Sequence, residues 1–131
     1  HDRQKIAVIT DLGCYNDYTV ECLRDLDVLY LEANHDIHML QVGPYPYYLK
    51  QRILGERGHL SNEAAGKLLS RLLHDRMHAI VLGHLSQENN LPELAYGSVR
   101  VEVTMSDTPY SGSDFPLYVA KRSEVSQMIE I

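Results

Sequence analysis

Positive charge, cysteine and long apolar runs are all in short supply in this chain, and each shortage closes a class of function. Against 18 Asp and Glu stand 12 Lys and Arg, a formal net charge of −6. That balance argues against holding nucleic acid through bulk positive charge. It leaves room for a local basic groove, or for a metal site that neutralises phosphate. Two cysteines, Cys14 and Cys22, are too few for a disulfide framework or a four-thiolate zinc site, and read as buried or idle thiols. No stretch approaches the ~20 apolar residues of a membrane helix, and there is no signal-peptide pattern, so a cytoplasmic domain with no membrane partner is expected. An initiator methionine is missing too. His1-Asp2-Arg3-Gln4-Lys5 leads straight into an apolar run, which points to part of a longer protein.

What is present fits one globular domain: 131 residues, 44% hydrophobic and 23% charged, enough for a single small core. Seven histidines are many for this length, so a metal site here would be built from His and carboxylate. Ile6-Ala7-Val8-Ile9-Thr10, Val28-Leu29-Tyr30-Leu31 and Ala79-Ile80-Val81-Leu82-Gly83 read as buried strands. Helical spacing runs from about Asn16 to Arg24 and from Tyr47 to Leu54. The clearest helix is capped by Ser61-Asn62-Glu63 and striped by Ala65, Leu68, Leu69, Leu72 and Leu73. A short helix is expected from Pro92. Ser98 to Thr104 alternates Val99, Val101 and Val103 with Arg100 and Glu102, the pattern of a half-exposed strand. Leu117 to Ala120 reads as a last edge strand. The order is that of an α/β layered domain.

The three buried runs each end in a residue able to do chemistry: Asp11, Glu32 and His84. If the strands are parallel, these side chains emerge along one edge, where α/β sheets bind ligands. Strand ends also carry turn-forming Asp and capping groups in domains without a site. A second feature is Gly58-His59-Leu60-Ser61-Asn62, which opens the strong helix. A helix N-terminus suits an anion, and a His there can donate to it; Ser61 as a plain cap and His59 on the surface is the simpler use. From Lys50 to Arg76, six cations (Lys50, Arg52, Arg57, Lys67, Arg71, Arg76) face three acids, which suits either a phosphate-facing rim or the solvated sides of two helices. His35 with His38, and His74 with His78, lack an H-E-x-x-H arrangement and are assigned to structure or surface. Tyr45, Tyr47 and Tyr48 suit base stacking or, more commonly, a packing corner.

Taken in order, Ile9-Thr10-Asp11-Leu12-Gly13, Leu31-Glu32-Ala33-Asn34-His35-Asp36, Gly43-Pro44-Tyr45-Pro46, Arg57-Gly58-His59-Leu60-Ser61-Asn62 and Leu82-Gly83-His84-Leu85-Ser86-Gln87-Glu88-Asn89-Asn90 resemble the second half of metallo-β-lactamase-fold hydrolases of the YycJ/WalJ/VicX-like group. The order is also similar to that of ribonuclease Z, and it covers about Ile6 to Val103. The resemblance implies that Asp11 bridges two metal ions and that His84 is the last metal-binding histidine. It implies that Glu32 and His59 pair to orient and protonate at a scissile phosphate, and that Ser61, Ser86 and Asn89 line the site. It further implies two divalent ions, zinc or manganese, in the intact protein.

The family's H-x-H-x-D-H motif is absent, and the further His ligand before the Asp11 strand is not identifiable, although His1 is close to that place. Two ligands do not hold a dinuclear centre. The expectation is therefore a C-terminal half of an αββα sandwich, one mixed sheet with helices on its outer face and an incomplete metal site. Its partner would be the missing N-terminal half, or self-association through the exposed sheet face. The implied function is a metal-dependent phosphodiesterase or nuclease acting on DNA or RNA, inactive as this piece alone. The rivals are a small-molecule ester, thioester or lactone hydrolase of the same fold, and a non-catalytic assembly or regulatory piece.

Overall fold

Each apolar run closes into a strand in the computed structural model, which describes residues 3–111, 114–122, 125–126 and 128–129. The strands are β1 (Ile6–Ile9), β2 (Val28–Glu32), β3 (Ala79–Gly83) and β4 (Leu117–Val119), side by side in the order β1-β2-β3-β4. Where a mixed sheet was expected, every pairing among these strands is parallel. Parallel neighbours need a crossover between them, and the intervening segments carry α1 (Asp17–Cys22), α2 (Ile37–Val42), α3 (Tyr47–Leu54), α4 (Asn62–Leu72) and α5 (Pro92–Met105). No helix among the described residues is long and apolar enough to cross a membrane.

Local chemistry explains where the helices begin. Asn16 and Thr19 form a reciprocal capping box on α1. The Asp36 carboxylate accepts from the Met39 N–H at 2.9 Å to start α2, and the Ser61 hydroxyl accepts from the Ala64 N–H at 3.0 Å to start α4. The segment read as a strand from Ser98 to Thr104 is instead the middle of α5. Ala95, Val99 and Val103 recur every four residues and are all buried, whereas Val101 is 53% exposed. The four-residue period wins over the two-residue one because α4 supplies an apolar partner along that face. The helices approach closely: a Cβ on Gly66 would lie 2.6 Å from Glu102 Cβ and 3.2 Å from Val99 Cα. Glycine is therefore required in α4 despite its cost of about 1 kcal/mol in a helix.

Strand register sorts the sheet into two faces. Ala7, Leu29, Ile80 and Leu117 form one row, with Ile9, Leu31, Leu82 and Val119 next to it, and both pack into the core with Leu68, Leu69 and Val99. The opposite face carries Val8, Tyr30, Val81 and Tyr118 as a register-aligned row. There Ile6 is 59% and Val8 68% exposed. Parallel sheets are normally covered on both faces; among the described residues this one is covered on one, as expected for half of a sandwich.

Candidate metal centre

Parallel strands place their carboxyl ends on one edge, so Glu32 at the end of β2 sits between the residues following β1 and β3. Its carboxylate is fully buried. One oxygen, Oε1, accepts from the Asp11 backbone N–H at 2.8 Å. The other, Oε2, accepts from His59 Nδ1 at 2.9 Å and from His84 Nδ1. A buried carboxylate is tolerable only when its charge is met in this way. The Asp11 carboxylate projects outward, with Oδ1 3.4 Å from His59 Nδ1, and the two imidazole rings lie 5.5 Å apart. Asp11, Glu32, His59 and His84 all offer ligand atoms within 4.8 Å of one another.

Backbone strain aims these groups. Asp11 and His84 adopt left-handed conformations, with φ of 58° and 56°, at a cost of about 1–2 kcal/mol each for a residue with a Cβ. Asn34 supports the second: its side-chain amide donates to the His84 carbonyl at 2.9 Å, and its own carbonyl accepts from the Ser86 N–H at 2.7 Å. His59 is delivered by a tight loop in which a Cβ on Gly58 would fall 2.0 Å from the Ile53 carbonyl oxygen. That loop presses on the turn after β1, where a Cβ on Gly13 would meet the Gly55 carbonyl oxygen at 2.3 Å. Arg57-Gly58-His59 and Asp11-Leu12-Gly13 are thereby held against each other.

The donor set fits a divalent cation. Both imidazoles spend Nδ1 on Glu32, which leaves Nε2 as the ligating or proton-carrying atom, and the Asp11 carboxylate supplies a hard oxygen beside them. The cluster opens into a cleft of about 590 Å³ whose wall includes Asp11, His59, His84 and Ser86. Ser61 and Asn89, expected to line it, stand behind it instead: Ser61 is 8% exposed and spends its hydroxyl on the α4 cap, and Asn89 is 1% exposed. His1, the residue nearest the place of a further ligand, lies outside the described residues.

Sequence reasoning missed the polar layer beneath the cluster. Asn62 and Asn90 exchange side-chain hydrogen bonds at 2.9 Å in both directions, and Asn90 also donates to the Ala33 carbonyl. His35 is 1% exposed, its Nδ1 is 3.2 Å from Asn34 Oδ1, and its Nε2 has no hydrogen-bond partner among the described residues. The signal present in the sequence was Asn at positions 34, 62, 89 and 90, beside the strand ends and the start of α4. Burial, with a smaller push from His59, lowers the His35 pKa from 6.5 to about 4, against a weaker opposing pull from Asp36.

A histidine lowered in this way stabilises the fold as the neutral ring. Its contribution is complete above the unfolded value of 6.5 and is lost as pH falls toward the folded value of about 4. Comparing urea unfolding of the native sequence with His35→Phe at pH 7.5 and pH 5 isolates it. The native chain should lose about 2 kcal/mol more than the variant over that interval. Parallel losses would show that His35 does not titrate this way.

No family model and no solved structure matches the chain. Three curated relatives do. The exodeoxyribonucleases WalJ of Streptococcus pneumoniae serotype 2 (strain D39) and of S. pneumoniae strain ATCC BAA-255 / R6 are each 37% identical over 130 residues, 99% of this chain and 48% of theirs. The exodeoxyribonuclease YycJ of Bacillus anthracis is 38% identical over 99 residues, 76% of this chain and 38% of its own. The chain thus spans about half the length of the curated relatives it matches most extensively. With that identity sustained along nearly all its residues, the chain belongs to the YycJ/WalJ group of metallo-β-lactamase-fold proteins.

Proposed function

We propose that the protein carrying this chain is a metal-dependent nuclease that hydrolyses phosphodiesters of DNA, in the cytoplasm. The observation that carries this reading is the convergence of Asp11, Glu32, His59 and His84 at the carboxyl edge of the sheet. The names of the three relatives, all exodeoxyribonucleases, support DNA over RNA and hydrolysis from an end. Asp11 and His84 would hold divalent metal, zinc or manganese, with Asp11 as the shared carboxylate of a two-ion site. The remaining ligands come from outside these residues, so the 131-residue chain alone is inactive. A bound pair of divalent ions supplies an activated water and offsets charge at the phosphate, which explains how a chain of net charge −6 handles a polyanion.

The chain's own residues account for the rest. Glu32 fixes the His59 ring through Nδ1, so a second proton taken up at Nε2 points into the cleft. The buried negative charge compensates the imidazolium, and Nε2 delivers that proton to the leaving oxygen. Ser86 lies on the same wall. A thioester expels a thiolate that needs no acid, so the Glu32–His59 pair favours an alkoxide leaving group, and the exodeoxyribonuclease names of the relatives favour the phosphodiester over a small ester. The row of Val8, Tyr30, Val81 and Tyr118 takes the second layer of the sandwich, an N-terminal half, and self-associates where that layer is missing.

Metal content and DNA cleavage should be measured on the complete native polypeptide and on Asp11→Ala, His84→Ala and His59→Ala. The first two should lose bound metal and activity together. His59→Ala should keep its metal and lose about 10²- to 10⁴-fold in turnover. Unchanged metal occupancy in Asp11→Ala and His84→Ala would sink the ligand assignment. The isolated 131-residue chain should sediment as a dimer or larger; a well-folded monomer at high concentration would contradict the open face.

A further inference from the structure

The six cations between Lys50 and Arg76 do not share one role. Lys50 donates to the Gln41 carbonyl at 2.7 Å, Arg71 pairs with Asp17 at 2.8 Å, Arg76 lies 3.9 Å from Asp25, and Lys67 is exposed on α4. Arg52 and Arg57 differ. Both are exposed on the wall of the cleft that holds His59 and His84, and neither has a carboxylate within 4.0 Å among the described residues. A third cation reaches the same cleft from the opposite end of the sheet. Arg122, just beyond β4, donates to the Leu85 carbonyl at 2.6 Å, which fixes its guanidinium beside the loop carrying His84. Arg52 and Arg57 belong to α3 and to the loop pressed against the turn after β1. The three guanidiniums therefore span the active edge from the β1 side to the β4 side.

Such an arrangement needs a reason in a chain with an excess of acid. Three arginines converging on one cleft repel each other unless an anion lies between them, and guanidinium forks match phosphate oxygens bidentately. An uncharged ester or lactone gives three guanidiniums nothing to pair with, whereas a polynucleotide presents a charge at every step along its backbone. We propose that Arg52, Arg57 and Arg122 form a phosphate-gripping arc that seats the phosphates flanking the one being cut. This rests on the nuclease reading above and adds to it the residues that track the strand. The half-buried ring of Tyr45 lies on the same wall, where a base next to the gripped phosphates can stack. The arc acts by position and charge; the chemistry stays with the cluster at the strand ends.

The test is the salt dependence of binding. Arg52→Gln, Arg57→Gln and Arg122→Gln, singly and combined, should be made in the complete native polypeptide. The probe is a fluorescent single-stranded DNA dodecamer with phosphorothioate linkages, which keep the charge and resist cleavage. Fluorescence anisotropy then gives the slope of log affinity against log salt. Each replacement should lower that slope by about 0.7 and weaken binding at low salt, and Arg52→Lys should restore the slope. Arg76→Gln, on the far side of the domain's basic segment and next to Asp25, should behave as the native protein does. A triple variant whose slope equals that of a native protein that binds and cleaves DNA would overturn the arc alone. A native polypeptide that neither binds nor cleaves DNA would overturn the arc together with the nuclease reading.

Discussion

Burying a carboxylate with no access to water is costly unless donors surround it, and Glu32 meets that condition with three. The Asp11 N–H and the Nδ1 atoms of His59 and His84 all converge on its two oxygens. Without them the penalty would be several kcal/mol. With them, one buried charge ties together the ends of β1 and β3 and the loop before α4. Everything that gives the cleft its chemistry is therefore anchored at a single point below it. The same contact decides which ring atom faces outward, because an imidazole committed at Nδ1 can offer only Nε2 to a cation or to a leaving group.

Around that anchor the backbone is bent into conformations it would otherwise avoid. Asp11 and His84 are left-handed without being glycine, and each is secured by one hydrogen bond made across the strand ends: Asp11 to Glu32, His84 to Asn34. Gly13 and Gly58 serve the complementary purpose, letting two loops touch where no side chain fits. Strain of this kind persists when surrounding contacts over-determine it, as they do here. The parallel sheet supplies the framework, because only parallel strands bring three successive carboxyl ends to the same edge.

Much of this was legible in the residues, for identifiable reasons. Asp11, Glu32 and His84 stood out because each follows an uninterrupted apolar run, and Ser61 stood out because a cap precedes a strong stripe. Strand direction was not legible, since no local pattern encodes it. The valines of α5 misled because alternation at Val99, Val101 and Val103 also contains a four-residue period, and only α4 determines which of the two is buried. Ser61 and Asn89 were placed on the cleft wall by their neighbours in sequence, yet both are buried, and the Ser61 hydroxyl is spent on the α4 cap. The basic segment could not be sorted without knowing which arginines meet a carboxylate. The support given by Asn34 and the Asn62–Asn90 pair showed only as recurring asparagines, because amide side chains carry no periodic signal.

Glu32 sets both imidazoles by holding Nδ1–H. Long-range ¹H–¹⁵N correlation spectra of the histidine rings in the native polypeptide read the tautomer directly. His59 and His84 should both carry the proton on Nδ1 in their neutral form, with Nε2 unprotonated. Finding either ring protonated at Nε2 instead would contradict it.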